Sequence, residues 1–123
     1  MIYTGYYGKL EEYEELGLTP IGISGQLPCW FEGYHFPFFA PSLDIFMKWK
    51  NGEIDNNGYI ERFIPERLDV LNKEDVKEKL LQFENPILLC YEKDGFCHRH
   101  IVAEWIRQNL GLGVEEYEFN SNS

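Results

Sequence analysis

The chain has 123 residues, of which 44% are hydrophobic and 16% aromatic, and this composition is typical of one folded globular domain. Its formal net charge is −10, and its lysines and arginines are scattered, which argues against binding to long nucleic acid. No apolar run approaches the roughly 20 residues of a membrane span, and no secretory signal is present, so we expect a cytoplasmic protein without membrane contact.

The chain contains three cysteines, Cys29, Cys90 and Cys97, whose odd number and irregular spacing are not typical of a disulfide framework. Unpaired cysteines are usual in the reducing cytoplasm. We therefore expect reduced thiols, while the sequence gives no indication of the oligomeric state.

The first forty residues predict two short strands, a helix between them and a long loop. Residues 2–6 have the composition of a strand, 9–16 that of a helix stopped by Gly17, and 21–24 that of a second strand. Residues 25–41 contain three prolines, two glycines and six aromatic residues without a period. We expect an ordered loop here, and loops of this length in a compact domain often have a function.

Three helices are predicted in the middle of the chain. Ser42 and Asn72 are suitable N-caps for helices at 43–50 and 73–83, because their side-chain oxygens can accept from backbone N–H groups of the first turn. A helix at 59–68 has a weaker pattern, since a proline interrupts it.

The last part of the chain predicts a strand, a helix and an edge strand. The continuous apolar run at 87–91 indicates a strand buried on both faces, as in parallel sheets. A helix is expected at 98–110 and a weakly alternating edge strand at 114–119. Strands that alternate with helices favour a small α/β fold with a mostly parallel sheet flanked by helices, a Rossmann-like three-layer sandwich. We expect one domain over residues 1–119, followed by a polar tail at 120–123.

Reactive side chains are concentrated at residues 91–99, between the buried strand and the last helix. Ligands in open α/β sheets bind outside the carboxyl ends of the strands, and helix N-termini attract anions, so we expect the site here. Helical periodicity places His98 on the apolar face and Arg99 at its edge, whereas His100 points outward.

Three functional interpretations of this segment are open. In the first, Arg99 and the helix N-terminus bind a phosphate or a carboxylate. In the second, Cys97 is a reactive thiolate whose pKa is lowered by the helix N-terminus, Arg99 and His98. In the third, Cys90, Cys97 and His98 bind zinc together with a fourth ligand.

The metal interpretation needs Cys29 or His35 from the distant aromatic loop as its fourth ligand. A purely structural interpretation competes with all three. In it, the histidine at the helix start is hydrogen-bonded in the core, and Arg99 forms an ion pair with Glu92.

Other segments are expected to share the same rim of the sheet. Ser24 ends the second predicted strand, and its hydroxyl group could bind an anion. The glycines beside Tyr6 could let the backbone approach a ligand, or could simply form a turn. Trp30 and its aromatic neighbours could stack on a base, or could pack the long loop onto the core.

Three stretches of the sequence resemble the domain of unknown function 488 family. They are IYTGYYG at 2–8, ISGQLPCWFEGYHFPFFAPS at 23–42 and LLCYEKDGFCHRHIVAEWI at 88–106, and the second is similar to a shorter subgroup of the family. The resemblance implies a small α/β sandwich and assigns no reaction. The positions that it marks in this chain are Ser24, Pro28, Trp30, Cys90, Glu92, Cys97, His98 and Arg99.

One position departs from the family pattern. Many relatives carry an arginine soon after the strand-end serine, where this chain has Gly25 and Gln26. The departure removes one positive charge from the expected site and weakens the anion interpretation.

We predict from these observations an enzyme that acts on a small phosphate-bearing or nucleotide-like ligand at the strand ends. The predicted catalytic residues are Cys97, His98 and Glu92, and the predicted ligand-binding residues are Arg99, Ser24, Cys90, Tyr6 and Trp30. No cofactor and no metal is predicted. The alternative is a non-catalytic module that binds a small ligand or a protein through the same rim and the aromatic loop at 25–41.

Overall fold

The computed structural model of the protein describes residues 1–119, and the polar tail predicted at 120–123 lies outside them. Five strands form one parallel sheet in the order β3-β2-β4-β1-β5. The strands are β1 Ile2–Tyr6, β2 Thr19–Gly22, β3 Tyr34–His35, β4 Pro86–Cys90 and β5 Val114–Glu116. The helices are α1 Leu10–Glu15, α2 Leu43–Lys50, α3 Asn56–Phe63, α4 Lys73–Leu81 and α5 His98–Leu110.

Helices cover both faces of the sheet, which confirms the predicted three-layer α/β fold. All five residues of β4 are buried, as its continuous apolar sequence indicates. Leu88 packs into the larger core cluster, with side chains of α2 to α5, whereas Ile87 and Leu89 pack into a smaller cluster with α1 and the aromatic loop. Across residues 1–119, none of the helices is long and apolar enough to cross a lipid bilayer.

The register of the sheet brings three strand ends to the same level. Tyr6 at the end of β1 pairs with Cys90, and Gly22 at the end of β2 pairs with Leu89. Because the strands are parallel, the segments that follow β1, β2 and β4 leave the sheet at one edge. The predicted site segments therefore lie side by side.

Local signals begin α2 and α4, and end α5, at the residues that the sequence predicts. The Ser42 hydroxyl group accepts from the backbone N–H of Ile45, and the Asn72 amide oxygen accepts from that of Asp75. The predicted helix at 98–110 is confirmed, and it ends at Gly111 with φ of 66°, a left-handed conformation that favours glycine.

The structure differs from the sequence prediction in several elements. The edge strand predicted at 114–119 ends at Glu116, and the helix predicted at 73–83 ends at Leu81. The second strand runs from Thr19 to Gly22, the residues that pair with β4, so Ser24 lies two residues beyond its end. The aromatic loop contains β3 and a 3₁₀ turn at Pro37–Phe39. The helix predicted at 59–68 begins at Asn56 and finishes in a π turn, Ile64–Leu68, because Pro65 has no N–H for a regular helical hydrogen bond.

Candidate functional site

A cavity of about 540 Å³ opens at the carboxyl ends of β2 and β4. Cys90, Cys97 and His98 line it where the sheet meets α5, and Ser24 and Glu92 lie beside them. The opposite wall is aromatic and comes from α2, α3 and the loop before α5, through Phe46, Trp49, Tyr59 and Phe96. Segments far apart in sequence thus enclose one space at the predicted rim.

Cys90 and Cys97 form a disulfide in this space. The expectation of three reduced thiols is therefore wrong for this pair, while Cys29 is free and exposed. Cys90 is the last residue of β4 and Cys97 is the N-cap of α5, so the intervening loop turns back and brings the two sulfur atoms together. The two residues are only 1% and 5% exposed, and both line the cavity.

Arg99 is fully buried, and all its donors are used. A guanidinium group has five N–H bonds. Nε donates to Glu116 Oε1 at 3.0 Å, and Nη2 donates to Glu116 Oε2 at 2.9 Å and to the Lys93 carbonyl at 3.1 Å. Nη1 donates to Cys90 Sγ at 3.0 Å and to the carbonyl oxygen of Glu92. Arg99 therefore has no N–H left to offer the anion that the sequence predicts for it.

The ion-pair partner of Arg99 is Glu116, and the predicted pair with the Glu92 carboxylate is wrong. Glu92 contributes only its backbone carbonyl, and its side chain is exposed at the cavity rim. Glu116 lies on the edge strand β5, where Thr4 Oγ1 of β1 also donates to Oε1 at 2.6 Å. No local pattern marks Glu116, because the contact depends on the pairing of β5 with β1.

His98 is buried at the start of α5, and its Nε2 lies 2.7 Å from the carbonyl oxygen of Ile23. A carbonyl only accepts, so Nε2 carries the ring proton and Nδ1 keeps its lone pair. Burial lowers the pKa of His98 to about 4, and the charge of Arg99 acts in the same direction. The histidine is therefore neutral at pH 7, hydrogen-bonded in the core as the structural interpretation predicts.

Ser24 belongs to a small hydroxyl network. Its Oγ donates to the Gln26 carbonyl at 2.7 Å and lies 2.7 Å from the Tyr7 hydroxyl oxygen. Because the single serine proton goes to Gln26, Tyr7 is the donor to Ser24. Burial raises the pKa of Tyr7, which keeps this donor protonated.

Three of the predicted ligand-binding residues lie outside the cavity lining: Arg99, Tyr6 and Trp30. Tyr6 is half-buried, and its backbone N–H meets the Tyr13 hydroxyl group instead. Trp30 is 56% exposed on the aromatic loop, with its ring edge-on to that of Tyr7 at 6.4 Å. The sequence points to Tyr6, but the chain turns after β1, so Tyr7 is the tyrosine that reaches the site through Ser24.

The metal interpretation has three candidate ligands in the structure. One ligand atom each from Cys90, Cys97 and His98 lies within 4.8 Å of the others. Neither proposed fourth ligand joins them: Cys29 is exposed, and His35 Nε2 bonds to the Ser24 carbonyl at 2.8 Å. A metal needs thiolates, so reduction of the disulfide would have to precede its binding.

A family model named DUF488-N3a, with the description "Active DUF488-N3 subclade", matches residues 19–110. The match begins with β2 and ends with α5, so it contains the strand-end serine and the whole Cys-His-Arg segment. No curated protein and no solved structure matches the chain.

Proposed function

The chain belongs to the DUF488 family, and from this membership and the cavity we propose that it is an enzyme that acts on a small ligand through the thiolate of Cys97. The observation that carries the proposal is the position of Cys97 and Cys90 beside His98 at the floor of an open cavity. The description of the matching subclade as active agrees with catalysis. Cytoplasmic localisation stays a prediction.

The position of Cys97 favours a reactive thiolate once the disulfide is reduced. Cys97 is the N-cap of a helix of 13 residues, and the partial positive charge of a helix N-terminus lowers the pKa of a thiol there. The neutral imidazole of His98 is adjacent to this thiol, because one ring nitrogen lies within 4.8 Å of both sulfur atoms. We propose that the helix N-terminus favours the Cys97 thiolate and that this thiolate attacks the ligand, with the uncharged His98 beside it.

The aromatic wall favours a ligand with a flat ring. Phe46, Trp49, Tyr59 and Phe96 offer ring faces and edges, which suits a nucleotide-like base. The lining that residues 1–119 provide contains no lysine or arginine. We propose that a phosphate on such a ligand is held by the backbone N–H groups of the first turn of α5 and not by Arg99.

A non-catalytic binding module is the second candidate. It is favoured because the polar groups near the cavity already have hydrogen-bond partners within the protein. Every N–H of Arg99 and the hydroxyl proton of Ser24 are bonded in this way. In this case the cavity would hold a ligand without reacting with it, and Cys97 would have an ordinary thiol pKa.

Alkylation of the reduced protein separates the two candidates, and Cys29 serves as the exposed reference thiol in the same chain. Iodoacetamide would be applied from about pH 5 to about pH 9, a range that spans perturbed and ordinary thiol pKa values, with modified cysteines mapped by mass spectrometry. We expect Cys97 to react at lower pH than Cys29, and nucleotides to protect Cys97 but not Cys29. A Cys97 that follows the pH profile of Cys29 would refute the enzymatic proposal.

A further inference from the structure

We infer that Cys90 and Cys97 form a redox centre that exchanges electrons with small disulfides and thiols entering the cavity. The inference rests on the proposed role of Cys97 and adds to it the class of co-reactant. Its starting point is that the two sulfur atoms are bonded to each other and also line an open space. A disulfide that only braced the fold would not need access from such a space.

The loop between the cysteines is held independently of the disulfide. Arg99 donates to the carbonyl oxygens of Glu92 and Lys93, and α5 and β4 keep both ends of the loop in place. Breaking the sulfur–sulfur bond therefore leaves the segment anchored. A redox centre requires this property, because both oxidation states must keep the same fold.

The two cysteines have different surroundings, which favour different roles in the exchange reaction. Cys97 stands at the N-terminus of α5 and is the more exposed of the two. Cys90 ends the central strand and accepts a hydrogen bond from the Arg99 guanidinium at 3.0 Å, which stabilises a thiolate. Cys97 is thus placed to meet the incoming disulfide, and Cys90 to attack Cys97 in the second step.

The exchange balances in two steps. The Cys97 thiolate attacks one sulfur of a small disulfide, and the sulfur–sulfur bond of that disulfide breaks. One thiolate leaves, and the other half of the small molecule stays bonded to Cys97 as a mixed disulfide. The Cys90 thiolate then attacks Cys97 Sγ and expels the second thiolate, and the leaving groups take up the two protons that the cysteines gave up. The protein pair is oxidised by two electrons, and the small disulfide is reduced to two thiols. The reverse reaction uses the thiols as reductant.

Oxidised glutathione is the probe, and the variant Cys29→Ser provides a background without the exposed thiol. The reduced Cys29→Ser protein should form the Cys90–Cys97 disulfide and release two glutathione thiols per chain. Adding Cys90→Ser should stop the reaction at a mixed disulfide on Cys97 with one thiol released. Adding Cys97→Ser instead should slow uptake by more than tenfold. Mass spectrometry and a thiol assay give the adducts and the stoichiometry, and circular dichroism checks each fold.

Absence of a Cys97 adduct in folded Cys90→Ser protein would overturn the inference, and so would a Cys29→Ser protein that keeps the mixed disulfide. Where the cysteine variants do not fold, the Cys29→Ser protein is equilibrated in glutathione buffers of graded ratio. A pair that titrates between dithiol and disulfide supports the inference, and a pair that stays in one state at every ratio overturns it. Low-pH alkylation of Cys97 without any exchange would refute the redox centre alone and leave the proposed enzyme standing.

Discussion

His98 makes the stability of the protein depend on pH. Its pKa is about 4 in the folded chain and about 6.5 in an unfolded one, so the unfolded state takes up the proton first as the pH falls. The stability that the neutral His98 contributes is fully present above about pH 6.5. As the pH falls from there towards about 4, the free energy of unfolding decreases by about 3 kcal/mol. Urea unfolding at a series of pH values measures it.

The control for this pH dependence is His98→Gln, which keeps an N–H for the Ile23 carbonyl but does not titrate. We expect its stability to change less over the same pH range. Burial also lowers the pKa of His100, so both proteins are best compared in a His100→Gln background. Equal pH dependence of the two proteins would show that His98 is not the titrating group.

Arg99 is expected to be a stability residue. Arg99→Ala would leave the Glu116 carboxylate with Thr4 as its remaining donor and would leave two backbone carbonyls without theirs. Breaking a fully buried pair costs about 3–5 kcal/mol, and we expect a loss up to this size because Glu116 is partly exposed. Arg62→Ala is the matched control, because Arg62 pairs with Asp44 and Glu66 at the surface, and its loss should be small. Urea unfolding compares the two variants. Similar losses would contradict the structural role of Arg99.

At the scale of elements, most of the fold follows from local signals. The N-caps Ser42 and Asn72, the stop at Gly111 and the apolar run of β4 are each readable within a few residues. The π turn was not predictable in the same way, because Pro65 weakens the helical pattern without showing how the chain continues. The two-residue strand β3 is too short to carry a pattern.

The location of the candidate site could be predicted from the sequence, but the contacts between its side chains could not. Strand ends and the helix start locate Ser24, Cys90 and Cys97 at one rim, since each follows or precedes an element with a clear pattern. The Arg99–Glu116 pair and the disulfide were not predictable, because both depend on how the elements are placed in three dimensions. Sequence spacing alone carries no such information.

Gly22, the last residue of β2, has no space around it for a side chain. A Cβ atom at Gly22 would lie 2.6 Å from the Tyr7 hydroxyl oxygen and would also meet Leu27. Gly22→Ala should therefore cost about 1–3 kcal/mol of stability through overpacking and should disturb the Tyr7–Ser24 hydrogen bond. Gly25→Ala is the control, since a Cβ atom there meets open space. Thermal melts of both variants check the difference, and equal melting temperatures would contradict it.

For the whole molecule, we expect reduction to weaken the fold without abolishing it. The Cys90–Cys97 bond closes a short loop, and losing it should cost about 2–3 kcal/mol in the free energy of unfolding. The buried strand β4 and the two core clusters remain in place, so the far-ultraviolet circular dichroism should not change. Urea unfolding with and without a small reductant measures the loss, and a chain that unfolds on reduction would refute this expectation.

The burial of the two sulfur atoms has a consequence for selectivity by size. With 1% and 5% of Cys90 and Cys97 exposed, a reagent must place its reacting atom inside a cavity of about 540 Å³ before it can touch either sulfur. We therefore expect a small reductant to reach the sulfur atoms faster than a cysteine fixed on the surface of another folded protein, whose backbone must stay outside the cavity. On this expectation, the cavity selects reaction partners by size and keeps these sulfur atoms apart from the thiols of neighbouring proteins.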